Sequence, residues 1–256
     1  MRPHWYVAIA WLLLVVGCQS APDNLEPVVL ARYPHDASAF TQGLVLEGGR
    51  FYESTGLYGQ SSLREVMPET GEVIRSIPLE QQYFGEGLAL VDGRLIQLTW
   101  RSSLALVYDA DTFEQIGSYR YETEGWGLCW DGSDLYMSDG SATLYRRNAD
   151  TFAVTGQVQV TQNGEPVALL NELECVGDSV YANVWQSDKI VRIDKDTGRV
   201  MANVDASRLL TDDERASLDP AAVLNGIAWD PANDRFYLTG KLWPTVYEVQ
   251  FRPPSR

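Results

Sequence analysis

Histidine and cysteine are scarce in this chain, basic residues are outnumbered, and no apolar run is long enough to cross a bilayer. Two histidines occur in 256 residues, His4 and His35. His4 falls in an N-terminal leader, so a Ser-His-Asp triad would have to be built on His35 alone, and a histidine-rich zinc site is excluded. His35 stands in Tyr33-Pro34-His35-Asp36, a turn string, and reads as a surface residue rather than a catalytic one. Twenty Lys and Arg against 35 Asp and Glu give a formal net charge of -15. That sign excludes nucleic acid as a partner, because phosphate binding needs the opposite one. An acidic surface favours cationic ligands instead, such as peptides with a free α-ammonium, although salt keeps the steering modest.

The longest uncharged stretch, Trp5 to Val16, spans about twelve residues, too short for a transmembrane helix. With Arg2 ahead of it, it reads as an export signal over residues 1–17. Val15-Val16-Gly17-Cys18 resembles the lipobox of bacterial lipoproteins, whose cysteine becomes the lipidated first residue. The expectation is a periplasm-facing lipoprotein, held at the outer membrane only through lipid on Cys18. Removing the leader takes away Arg2 and moves the net charge from -15 to -16. Residues 18–26 then read as a linker, 27–251 as one catalytic domain and 252–256 as a tail. Cys129 and Cys175 remain, in a compartment where disulfides persist.

What the sequence does have is a repeat. Similar strings open five segments: Phe40-Thr41-Gln42-Gly43-Leu44, Phe84-Gly85-Glu86-Gly87-Leu88, Gly125-Trp126-Gly127-Leu128, Leu170-Asn171-Glu172-Leu173 and Leu224-Asn225-Gly226-Ile227. Each is followed by a Gly- or Asp-rich turn and then by further β-rich runs such as Arg94-Leu95-Ile96-Gln97-Leu98 and Lys189-Ile190-Val191-Arg192-Ile193. Four short antiparallel strands per repeat predict an all-β, five-bladed β-propeller. The fifth repeat stops after Val246-Tyr247-Glu248-Val249-Gln250. Pro27 to Tyr33 reads like the missing fourth strand, so the N-terminal strand should close the last blade. Thr211-Asp212-Asp213-Glu214 is a capping box that opens a short helix ending before Pro220. That segment and the loop Thr161 to Pro166 should crowd one mouth of the channel.

At the same mouth the topology gathers the starts of the first strands (Gln42, Glu86, Trp126, Asn171, Asn225) and the ends of the second strands (Trp100, Trp185, Lys241). Each has a plainer reading. Tryptophans pack blade on blade, a glutamate points to solvent, a lysine follows a turn, and Asn or Gln satisfies a strand end. Three tryptophans at strand ends are harder to assign to packing, and a Trp-lined mouth would desolvate Glu86 and raise its pKa. The glycines on both sides of Glu86 would let a substrate backbone approach closely. In the innermost strands Cys129 and Cys175 are one residue out of phase, so their thiols leave opposite sheet faces, as a bridge between the third and fourth blades requires.

These strings, together with Tyr52-Glu53-Ser54-Thr55-Gly56, Leu98-Thr99-Trp100, Glu124-Gly125-Trp126, Asn171-Glu172-Leu173-Glu174 and Asn183-Val184-Trp185, resemble the plant and bacterial type of glutaminyl-peptide cyclotransferase from about residue 28 to 251. The resemblance implies conversion of N-terminal glutamine of peptides or proteins to pyroglutamate with release of ammonia. It implies Glu86 as proton shuttle, with Gln42, Trp100, Trp126, Asn171, Trp185 and Lys241 lining the pocket. Glu86, Lys241 and Asn171 are accordingly the catalytic candidates; Gln42, Phe40, Phe84, Trp100, Trp126, Trp185 and Asn225 are the substrate-binding ones. Indole N–H groups, Asn or Gln amides and the Lys ammonium are candidate oxyanion donors. No cofactor, no metal and a monomer are expected. Two other classes remain open: a calcium-dependent propeller lactonase using Glu86, Asn171 and Asn225 as oxygen ligands, and a non-catalytic peptide-binding propeller.

Overall fold

The computed structural model describes residues 21–254. The leader 1–17 and the lipidation candidate Cys18 lie outside the described residues. Within them, β-branched and aromatic runs between tight turns form strands almost throughout. Strand β1 (Asp23–Pro34) precedes a four-stranded antiparallel meander of β2 (Thr41–Glu47), β3 (Arg50–Thr55), β4 (Ser62–Val66) and β5 (Val73–Pro78). A second comprises β6 (Gly85–Val91), β7 (Arg94–Thr99), β8 (Leu104–Asp109) and β9 (Gln115–Arg120). A third comprises β10 (Leu128–Trp130), β11 (Asp134–Ser138), β12 (Thr143–Asn148) and β13 (Val154–Gln159). After the small hairpin β14 (Thr161–Gln162) and β15 (Glu165–Pro166) come β16 (Leu170–Val176), β17 (Ser179–Val184), β18 (Lys189–Asp194) and β19 (Val200–Asp205). Helix α1 (Asp212–Ser217) leads into β20 (Leu224–Asp230), β21 (Arg235–Gly240) and β22 (Thr245–Arg252).

The N-terminal strand does close the last meander, with Glu26–Pro34 of β1 pairing antiparallel to β22. It also does something the sequence reading did not anticipate. Residues 23–26, read there as linker, belong to β1, and Asp23–Leu25 run parallel to Ala202–Val204 of β19. One strand therefore joins β16–β19 to β20–β22 in a single eight-stranded sheet. Helix α1 carries the expected capping box, with Thr211 accepting from the Glu214 amide and Glu214 from that of Thr211.

First strands adjoin one another in the cyclic order β2, β6, β10, β16, β20 and back to β2, which makes the architecture propeller-like. Consecutive sheets share apolar clusters. Leu63, Leu88 and Leu95 join the first two, and Ile96, Leu128 and Met137 the next pair. Leu44, Phe51, Ala228 and Val246 return from the last sheet to the first. Sandwiched strands are buried on both faces, as in β6, whereas the outer strands β5 and β9 are mostly exposed to solvent. Cys129 and Cys175 form the expected disulfide, with Cα atoms 5.5 Å apart, tying β10 to β16.

The feature that makes a site is a recurrent β-bulge at the start of the first strands. Glu86 and Gly87 oppose the single residue Leu98, Asn171 and Glu172 oppose Asn183, and Asn225 and Gly226 oppose Thr239. Gln42 is likewise the extra residue between Thr41 and Gly43. A bulge re-aims its side chain out of the pleat, and these point to one end of the ring axis. The glycines around Glu86 are used differently from the expectation. A Cβ on Gly85 would lie 2.6 Å from the Thr55 carbonyl oxygen, and one on Gly87 would lie 2.5 Å from the Leu128 nitrogen. They admit the neighbouring sheets' backbone, not a substrate's.

Candidate active site

Nine of the ten sequence-derived catalytic and substrate-binding candidates line one cavity of about 390 Å³: Phe40, Gln42, Phe84, Glu86, Trp100, Trp126, Asn171, Trp185 and Lys241. The tenth, Asn225, does not line it. It is fully buried behind the wall, and its Nδ2 donates to the Thr41 carbonyl at 3.0 Å and to Gln42 Oε1 at 3.1 Å. Its Nδ2 holds Gln42, which does line the cavity, by the side-chain oxygen.

The walls are aromatic. Phe40 meets Phe84 edge to face at 6.0 Å, and Phe84 meets Trp100 at 5.6 Å. On the other side Trp126 and Trp185 meet edge to face at 5.4 Å. Residues just past the second strands share a fixed anchor, because the amides of Trp100, Trp185 and Lys241 donate to the carbonyls of Phe84, Leu169 and Val223. Gly56 occupies the equivalent position in the first meander, where the Phe84 ring leaves no room for a side chain.

Among the lining residues, Glu86 and Lys241 are the ionisable pair, and both are buried. Desolvation pushes the Glu86 carboxyl well above the usual carboxylate range, opposed by the Lys241 charge and reinforced by that of Glu124. The same desolvation lowers Lys241 to about 8, against the pull of Glu86. Their titrations are coupled, and burial drives both toward their neutral forms. Lys241 Nζ also sits 5.0 Å from the centroid of the Phe40 ring. Asn171 Oδ1 is buried without a hydrogen-bond partner among the described residues, an acceptor aimed at nothing of the protein's own.

Several expectations are corrected here. The indole N–H groups of Trp100 and Trp126 are not available as oxyanion donors, since both donate to Glu124 Oε2, at 2.7 and 3.0 Å. The hairpin at Thr161–Pro166 does not reach the cavity, whereas Pro220, Ala221 and Val223 after α1 do. His35 is not on the surface. Its side chain is 4% exposed, with Nε2 3.0 Å from Glu53 Oε1 and Nδ1 2.7 Å from the Trp243 carbonyl, so it braces the loop after Lys241.

The reading also missed Leu57, Gln186, Pro220, Ala221 and Val223 in the wall, and Glu124 behind it. Glu124 and Val223 had a signal. They stand two residues before Trp126 and Asn225, as Phe40 and Phe84 stand before Gln42 and Glu86. Leu57 and Gln186 adopt positive φ of 84° and 60° in irregular turns, which no repeat pattern encodes.

The sequence matches the glutamine cyclotransferase family profile over residues 7–251. The chain belongs to the glutamine cyclotransferase family. It is 42% identical to a glutaminyl-peptide cyclotransferase of Arabidopsis thaliana over 232 residues, 90% of this chain and 72% of the plant protein. It superposes on the crystal structure of Myxococcus xanthus glutaminyl cyclase with a TM-score of 0.85 and 40% identity, covering 91% of this chain and all of that one.

Proposed function

We propose that the chain is a five-bladed propeller that cyclises the N-terminal glutamine of peptides and proteins to pyroglutamate, with Glu86 as proton shuttle and no catalytic metal. The observation that carries this reading is a buried carboxyl with a raised pKa at the base of an aromatic cavity, in a member of this family. The five-blade count is supported by the cyclic order of the first strands and by β1 completing the last meander.

The reaction is intramolecular, so proximity resides largely in the substrate. The α-amine attacks the side-chain amide carbon, a C–N bond forms, and the amide C–N bond breaks as ammonia leaves. Glu86 takes the proton that the amine sheds and returns it to the departing nitrogen, a task worth roughly 10²- to 10⁴-fold. The Asn171 oxygen accepts from the amine. Donors for the developing oxyanion are Lys241 Nζ and the Gln42 amide, with the two Glu124-bound indoles acting as walls. The calcium-lactonase reading is disfavoured by the donor set: Asn225 does not line the cavity, and Lys241 brings a cationic side chain to Glu86.

Export over residues 1–17 and lipidation of Cys18 complete the proposal, tethering a monomer through the few residues ahead of β1. Cys18→Ser should release the protein from the membrane fraction; retention there would remove that part. The activity itself is tested by incubating a Gln-initiated peptide with the protein and following loss of one ammonia by mass. Turnover that survives EDTA supports the reading, and no turnover refutes it.

A further inference from the structure

Trp100 and Trp126 come from different sheets. Trp100 follows β7, and Trp126 precedes β10. Each ring packs on a neighbour of its own, Trp100 on Phe84 and Trp126 on Trp185, and both line the same cavity. One carboxylate links them. Glu124 Oε2 accepts from Trp100 Nε1 at 2.7 Å and from Trp126 Nε1 at 3.0 Å. Its other oxygen accepts from Arg101 Nε at 2.9 Å, and the Arg101 guanidinium lies over the Trp100 ring, 3.8 Å from its centroid. The backbone beside it is pinned as well, because the Gly125 amide donates to the Trp100 carbonyl at 2.9 Å.

We propose that Glu124 is a positioning residue of the active site, a carboxylate clamp that sets the two indole planes and whose charge bears on Glu86 through the wall those indoles form. Three donors hold Glu124 below the usual carboxylate range, so it stays anionic across the working pH. The charged groups that bear on Glu86 are Lys241 and Glu124, and the buried Tyr121 hydroxyl, bonded to the Thr99 carbonyl, feels the Glu86 charge. Lys241 favours the ionised form of Glu86 and Glu124 opposes it. Glu124 thus counteracts the lysine and keeps Glu86 able to hold a proton. The kinetic part of this inference rests on the cyclisation reading; the clamp itself does not.

Two variants separate the functions. Glu124→Gln keeps an acceptor oxygen for the indoles and removes the charge, so KM should stay within about threefold. The limb of the kcat–pH profile set by Glu86 should move to lower pH, a displacement that a merely structural residue would not produce. Glu124→Ala removes both bonds, and KM should rise about tenfold or more, equivalent to ~1.4 kcal/mol. Indole N–H hydrogen exchange, read by NMR with Trp100→Phe and Trp126→Phe for assignment, should be slow for both rings in the wild type and in Glu124→Gln but fast in Glu124→Ala. An unmoved pH limb in Glu124→Gln overturns the charge role. Slow exchange at both indoles in Glu124→Ala overturns the clamp. A wild type inactive on glutamine peptides would refute the function alone, because exchange reads the clamp without turnover.

Discussion

Glu172 stands where the other repeats carry Gly43, Gly87, Gly127 and Gly226, and its side chain crosses to the first and last meanders. Its carboxyl accepts from the Leu44 amide at 3.3 Å and from the Ile227 amide at 2.8 Å. Leu44 and Ile227 each lie two residues past the bulge residues Gln42 and Asn225, so one carboxyl ties three first strands at the level of the cavity floor. Replacing Glu172 with Gln leaves one oxygen and sets an amide NH₂ against a buried N–H. An unsatisfied buried donor costs about 1–3 kcal/mol, or roughly 2–12 °C in Tm at ~2–4 °C per kcal/mol for a chain of this size. The pH dependence gives the sharper signature. Burial and the neighbouring Glu174 raise the Glu172 pKa well above 4.5. A raised carboxyl contributes stability that is fully present below its unfolded pKa and is lost as pH rises through the folded one. The wild type should therefore exceed Glu172→Gln most below the ordinary carboxyl value of 4.5, with the gap narrowing as pH rises above it. Urea unfolding followed by tryptophan fluorescence at several pH values measures it. Equal stability below pH 4.5, or a gap that widens toward alkaline pH, would refute the reasoning.

The His35–Glu53 pair gives a second stability test. His35→Asn removes the nearest ion-pair partner of buried Glu53 and leaves it the Thr41 hydroxyl at 2.7 Å and Arg64 at 3.9 Å, so the cost should fall below the about 3–5 kcal/mol of breaking an isolated buried pair. The His35 pKa is raised despite burial, so its share is fully present below 6.5 and lost as pH rises; Glu53 is lowered, so its share is present above 4.5 and lost as pH falls. The deficit measured by urea unfolding should thus peak between these values. Reducing the Cys129–Cys175 bond, which spans 46 residues, should lower stability by up to about 4 kcal/mol in the chain-entropy picture, compared by unfolding with and without reductant. Cyclisation should accelerate with pH up to about 8, where the substrate α-amine, of reference pKa about 7.7–8.0, becomes neutral. Peptides beginning with Glu should react far more slowly in the same mass assay, since a carboxylate is a poor electrophile.

Much of the site was legible because the repeat aligns it. Once Gln42, Glu86, Trp126, Asn171 and Asn225 are recognised as equivalent strand starts, a ring topology forces them together, and the second-strand ends follow. The same alignment explains the error over Asn225, since equivalence in the ring fixes where a residue starts and not which neighbour captures its side chain. Hydrogen-bond partners were the blind spot throughout. The Glu124 clamp consumes two indole donors, the Glu172 clasp ties three first strands, and His35 is buried by a loop some 200 residues away. Nothing local in sequence specifies such long-range pairings. The doubled role of β1 was hidden similarly, because a parallel contact with β19 leaves no turn signal.

The central claim is that Glu86 moves the proton, and Glu86→Gln tests it most directly, keeping size and hydrogen-bonding reach while removing the exchangeable proton. In protein that unfolds as cooperatively as the wild type, kcat for a Gln-initiated peptide should fall roughly 10²-fold or more with KM little changed. A variant that retains more than about a third of the wild-type kcat would place the proton shuttle elsewhere.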